Sequence, residues 1–374
     1  MSNIHDYLIW RGDLPISKDF KFNEVDSMIL ARFSYLVFDK IKMNPKETIE
    51  SVSLKMRDLD NSEFLYNGDK ELITYLGDSD RFKNLVVTDF IKINNKENEK
   101  QFGAITIHIS EEQLYISYLG TDSTIYGWKE DFNMAFMENV PCQISGKEYL
   151  EKISEKYPDK KIRIGGHSKG GNVAIYSAIT VEEKIKDKII KVYNYDGPGF
   201  NKNIVNMYGN NEIMKKIQTY IPQDSIIGRI LNHKEKTTII YSIEKGILQH
   251  DIFSWQILRD DLIELSENTD ASEIIDKALT DWLEVTTNEQ RKIFIDTVFE
   301  LLYSTEATTF GEMSRNLTTN LPKIMKKYGE ISSSDKEIIT NMIKIIIVSY
   351  INIIKERETT KFNILKNKYI FKNN

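Results

Sequence analysis

The chain predicts an α/β fold with a largely parallel sheet, N-terminal helices and an all-helical C-terminal extension. Three observations carry this. Runs rich in β-branched residues alternate with segments of helical period between residues 100 and 257. A glycine-dense turn, Gly165-Gly166-His167-Ser168-Lys169-Gly170-Gly171, leads straight from one such run into a helix of small residues. Beyond Leu258 the β-type runs stop and helix signals take over.

The first ninety residues read as a mainly helical entry. Val25, Ile29, Phe33 and Leu36 recur at helical spacing within 22–38. Further helices are expected at about 46–59 and 69–76. The β-branched run 101–109 and the run 113–119 read as adjacent strands joined by a hairpin. A helix over 146–157 follows, then a strand at 161–164, the glycine turn, and a helix from Asn172. Strands are expected at 189–195, 217–221 and 237–242. In the tail, Ser272 is placed as the N-cap of a helix over 273–284. Thr287 with Gln290, and Ser334 with Glu337, have the spacing of helix-capping pairs. The expected division is therefore residues 1–257, with a core at 100–257, and a helical region at 258–374.

Composition narrows the function classes. Of 374 residues, 41% are hydrophobic and 28% charged, the balance of a globular protein. The net charge of −6 points away from a general nucleic-acid binder. Cys142 is the single cysteine, which excludes an intramolecular disulfide and a cysteine-cluster metal site. The first twenty residues carry Asp6, Arg11, Asp13, Lys18 and Asp19, so a cytoplasmic location is expected. No apolar stretch approaches the ~18 residues of a transmembrane helix, which leaves peripheral membrane contact open.

The glycine turn carries the chemistry. Gly166-x-Ser168-x-Gly170 between a strand and a helix is the spacing of a nucleophile elbow. The turn presents the serine hydroxyl at the sheet edge, and its neighbours must lack a Cβ to pass one another. A phosphate-binding turn would instead require G-x-x-x-x-G-K-[ST], which is not present.

A serine needs a base and an acid that orients the base. Of five histidines, His233 and His250 follow Ser168. His250 lies beyond the last expected core strand and is chosen as the base. His233 sits in a polar loop and reads as a surface residue. Two acids follow strand ends. Asp224, in Pro222-Gln223-Asp224, is preferred because its strand is the next before the histidine loop. Asp196, in Asp196-Gly197-Pro198-Gly199, is the alternative, with turn capping as its other role. Gly120-Thr121 ends a strand upstream of the elbow, where a second oxyanion donor belongs. Thr121 would donate from its backbone and hydroxyl. Lys169 would donate from its backbone N–H, its side chain facing solvent. No metal or cofactor is required. Residues 201–215 read as a lid or as an ordinary surface helix.

At these residues the chain resembles the Mbeg-like family of bacterial α/β-hydrolases, related to class 3, fungal-type lipases. The likeness is carried by Tyr118-Leu119-Gly120-Thr121-Asp122, Trp128, Asp131, the Gly-His-Ser-Lys-Gly elbow, Pro222-Gln223-Asp224 and Gln249-His250-Asp251. The opening Tyr7-Leu8-Ile9-Trp10-Arg11-Gly12-Asp13 and Gln101-Phe102 add to it. The resemblance covers most of residues 1–255. It implies the α/β-hydrolase fold, Ser168, Asp224 and His250 as the triad, and Thr121 at the oxyanion. Leu119 stands where such lipases usually carry arginine, which turns the expectation from triglycerides to other acyl esters, such as a lysophospholipid or another lipid-like ester. Thioesterase or peptidase chemistry on the same machinery, or a non-catalytic binding role, are the alternatives.

Overall fold

The computed structural model describes residues 2–209, 211–267 and 269–370. Its strands are β1 (Lys46–Thr48), β2 (Val86–Asn95), β3 (Lys100–His108), β4 (Gln113–Tyr118), β5 (Lys161–His167), β6 (Ile189–Tyr195), β7 (Ile217–Pro222), β8 (Lys236–Ile240), β9 (Ile257–Leu258), β10 (Asp261–Leu262) and β11 (Glu264–Leu265). One mixed sheet runs in the order β1-β2-β3-β4-β5-β6-β7-β8-β11. β4 to β8 are parallel, and the strands flanking them pair antiparallel. This is an α/β-hydrolase fold.

The N-terminal helices are α1 (Ile4–Arg11), α2 (Glu24–Phe33), α3 (Ile49–Arg57) and α4 (Asp69–Asp78). Between the core strands lie α5 (Ile125–Asn133), α6 (Pro141–Lys156), α7 (Lys169–Thr180), α8 (Glu183–Lys186) and α9 (Lys202–Tyr208). The tail comprises α10 (Asp270–Val285), α11 (Asn288–Tyr303), α12 (Phe310–Arg315), α13 (Leu317–Glu330) and α14 (Ser333–Ile370).

The sequence order of the parallel strands dictates the layering. Each strand adds to the same side of the last, and right-handed crossovers then place every connecting helix on one face. That face holds Leu114, Ile116, Tyr118, Ile162 and Ile164 against Leu150 of α6 and Val173 of α7. The alternate residues Tyr115, Tyr193 and Tyr195 point to the other face, as a period of two requires. A separate element must cover it. Val25, Met28 and Ile29 of α2 do so, each fully buried, at ~1.5–3 kcal/mol per side chain. The N-terminal helices therefore close the second face of the core. Helix α2 starts where Asn23 and Asp26 form a reciprocal cap.

Four expectations differ, and β2 has no counterpart among them. Ser334 lies inside α14, and Ser332 caps that helix by accepting from the Asp335 N–H at 3.0 Å. Residues 46–48 form β1 rather than the start of a helix, and Thr48 caps α3 through the Ser51 N–H. β2 breaks its own alternation, because the register shifts between Thr88 and Ile91. Strands continue past Leu258 as β10 and β11, which like β9 are two residues long and too short to show a period. Ser272 lies inside α10, which begins at Asp270 rather than at 273. The Thr287–Gln290 cap of α11 forms as expected.

Candidate active site

The C-terminal ends of the parallel strands gather the chemistry, as open α/β sheets do. Thr121 follows β4, Ser168 follows β5, Asp196 follows β6, Asp224 follows β7 and His250 follows β8. Ser168 has φ 57° and ψ −134°, a region costly for any residue with a Cβ, at ~1–3 kcal/mol. Its N–H donates to the Tyr195 carbonyl at 2.9 Å, and its own carbonyl accepts from the Gly171 N–H at 2.9 Å. The turn is thus clamped to β6 on one side and to α7 on the other.

The glycines are required by contact. A Cβ on Gly166 would lie 2.3 Å from the Gly170 carbonyl carbon, and one on Gly170 would lie 2.2 Å from the Tyr118 oxygen. Both obstacles are backbone and cannot rotate away. Gly170→Ala is therefore expected to lower stability by ~1–3 kcal/mol, read from urea unfolding. A change within about 0.5 kcal/mol, the size of an ordinary surface substitution, would refute the steric argument.

The carboxylate that contacts the His250 imidazole is Asp196, not Asp224. The His250 ring contacts Asp196 through Nδ1 to Oδ2 at 2.6 Å. The other Asp196 oxygen accepts from the Ser225 hydroxyl and from the Gly228 N–H at 3.1 Å. Its carboxylate is 1% exposed. Asp224 is occupied elsewhere: its carboxylate accepts from Gln249 Nε2 at 3.0 Å and from the Thr269 hydroxyl. Its backbone N–H also donates to Gln249 Oε1 at 2.8 Å. Asp224 thus grips the side chain next to His250 and does not reach the imidazole. The preference for the nearer strand end fails because the intervening residue, Gln249, turns inward and takes that carboxylate.

His250 packs on His167, the residue before Ser168. The two rings stack at 4.5 Å, and His167 Nε2 donates to the His250 carbonyl at 2.8 Å. The Tyr35 hydroxyl lies 3.2 Å from His167 Nδ1. Burial, then the neighbouring His250 and Arg32, hold the His167 imidazole well below its ordinary range. The His250 carbonyl can only accept, so Nε2 carries a proton. Trp255 Nε1 donates to the Gln249 carbonyl at 2.7 Å and fixes the loop from behind. The rings of Tyr35, Tyr66 and Phe253 surround the Arg32 guanidinium, which pairs with Asp69 at 2.7 Å. None of these supports, spread from Arg32 to Trp255, has a sequence signal beyond the Gln249-His250 pair.

At the end of β4 the Thr121 hydroxyl donates to the Asp131 carboxylate. Among the described residues no acceptor takes the Thr121 or Lys169 backbone N–H. The Lys169 side chain departs from expectation. It is 1% exposed and runs inward, 3.0 Å from Glu130 and 3.5 Å from Asp131. The reason is geometric: as the first residue of α7, packed on the sheet, it projects toward α5 rather than toward water. Glu130 also accepts from the Gln101 N–H at 3.0 Å and the Cys142 N–H at 2.8 Å, tying β3, α5, α6 and α7 together. Desolvation pushes the Asp131 carboxyl up to about 6, against the pull of Lys169.

His233 is not a free surface residue. It pairs with the buried Glu235 at 2.7 Å, away from Ser168. Residues 202–208 form α9, capped by Asn201 and seated through the buried Ile204. Asn201 donates to the Met137 carbonyl at 3.0 Å.

The model of the family described as Mbeg1-like matches residues 76–300. No curated protein matches the chain. Similar solved structures include the Lip2 lipase from Yarrowia lipolytica, at 13% identity over 61% of this chain and 80% of that one, with a TM-score of 0.35. The native Rhizomucor miehei lipase propeptide complex gives 12% identity over 77% and 95%, TM-score 0.36. Lipase II from Rhizopus niveus gives 12% over 64% and 81%, TM-score 0.34.

Proposed function

The chain belongs to the Mbeg1-like family, and from that premise we propose that it is a serine hydrolase of acyl esters. The observation that carries the proposal is the Asp196–His250 pair, at 2.6 Å, docked through His167 beside the strained Ser168 turn. A strained serine next to an imidazole with a buried carboxylate behind it is the arrangement that makes a hydroxyl nucleophilic.

In this reading Asp196 accepts the Nδ1–H of His250 and leaves Nε2 free to take the Ser168 proton. Ser168 Oγ bonds to the ester carbonyl carbon, and its proton passes to His250. The resulting oxyanion is held by the Thr121 and Lys169 backbone N–H groups. His250 returns the proton to the departing alcohol as the C–O bond breaks. Water, deprotonated by His250, then adds to the acyl-enzyme, and Ser168 leaves with the proton. Lipid-like esters are the proposed substrate class, from the family resemblance; Leu119 at the position before Gly120 departs from the lipase pattern and points away from triglycerides.

Labelling with a fluorophosphonate tests this. The wild type is expected to label, and Ser168→Ala to lose the label completely while unfolding normally in urea. A wild type that does not label, or a Ser168→Ala protein that labels equally, refutes the hydrolase and leaves a binding protein on this fold.

A further inference from the structure

The two sides of α14 differ from the usual plan of a surface helix. Its inward side, with Ile339, Met342 and Ile353, is buried against α10 and α11. Its outward side should be polar. It instead carries Ile343, Ile347, Val348, Tyr350 and Ile351, each 42–52% exposed. Ile343, Ile347 and Ile351 repeat every four residues and lie along one line of the helix. The preceding helix, α13, exposes Leu321, Met325 and Tyr328 at helical spacing too. Apolar side chains concentrated in this way on exposed helix faces mark an interaction surface.

Charge selects the occupant. Residues 318–353 carry five Lys against three Asp or Glu, in a chain whose net charge is −6. Lys326 follows Met325, and Lys344 lies between Ile343 and Ile347, both with exposed side chains. A second copy packed symmetrically on this face would set the same positive excess against itself. A bilayer bearing anionic lipid offers an apolar interior to the isoleucines and negative headgroups to the lysines. Among the described residues no helix is long and apolar enough to cross a membrane.

We propose that α13 and α14 dock the protein on an anionic membrane surface, with α14 lying in the plane of the interface. This does not rest on the chemistry of Ser168. The test is sedimentation of the wild-type protein with vesicles of ether-linked phospholipids, which carry no ester to hydrolyse. Partition onto vesicles containing phosphatidylglycerol is expected to exceed that onto pure phosphatidylcholine by about tenfold or more, and to weaken in high salt. The Lys326→Glu, Lys344→Glu pair is expected to lower it about tenfold. The Ile343→Ser, Ile347→Ser, Ile351→Ser variant is expected to abolish it, with circular dichroism as the folding control. Equal partition onto both vesicle types overturns the proposal. So does a dimer by light scattering that the triple variant converts to monomer, because the face would then belong to a second copy.

Discussion

Asp196→Asn is expected to lower ester turnover by ~10²–10⁴-fold in a protein that stays folded, while Asp224→Asn stays within about tenfold of wild type. The difference follows from the hydrogen bonds each carboxylate makes. In Asp196 one oxygen accepts from Ser225 and Gly228. An asparagine there must keep its carbonyl on those two donors. Its NH₂ then faces His250 Nδ1, where the carboxylate now accepts. The imidazole has to move its proton to Nε2, the nitrogen that must receive the proton of Ser168. The base is lost without a change of shape.

Asp224 has no such conflict. An asparagine can keep its oxygen on Gln249 Nε2 and turn its NH₂ toward Thr269, whose hydroxyl can rotate to accept. The clamp on the histidine loop survives. Turnover of a p-nitrophenyl ester by both variants, with circular dichroism alongside, decides the matter. A folded Asp196→Asn enzyme of normal turnover, beside an inactive Asp224→Asn, would return the role to Asp224.

The contrast between these two acids shows what was legible in the sequence. The elbow was readable because its constraint is local: strand, serine, glycines and helix are adjacent in the chain, and Gly166 and Gly170 each answer a backbone contact. The parallel strands were readable because each buried face is a contiguous run. The acid was not, because strand-end order places both Asp196 and Asp224 near the histidine. The choice depends on the inward turn of Gln249, which is a packing outcome. Lys169 failed for a related reason. A lysine beside glycines at a helix start looks solvated until Glu130 and Asp131, about forty residues upstream, are brought beneath it. β2 was hidden by its own bulge at Asp89, which has φ 56° and puts two non-alternating residues into the run.

Lys169→Met is expected to destabilise the fold by about 3–5 kcal/mol at neutral pH, the cost of leaving a buried charge without its partner. Methionine fills nearly the same volume, so a cavity contributes little. What is lost is the cation 3.0 Å from Glu130, whose side chain is fully buried, and 3.5 Å from Asp131. Acid should relieve part of the loss. The Asp131 carboxyl is already pushed up to about 6 by desolvation, with Lys169 as the largest opposing influence. Removing that influence raises it further. A carboxyl raised in the folded state binds its proton there at a pH where the unfolded chain has released it. Its contribution therefore favours folding at low pH and is lost as pH rises through the folded value. The gap between wild type and Lys169→Met should be wider at pH 8 than at pH 5. Turnover should fall at both, because Asp131 also holds the Thr121 hydroxyl and with it the backbone proposed to bind the oxyanion. Urea unfolding of both proteins at the two pH values measures this. A gap below about 1 kcal/mol, in the range of exposed ion pairs, would mean that Lys169 reaches solvent. A gap independent of pH would mean that Asp131 does not take up the proton.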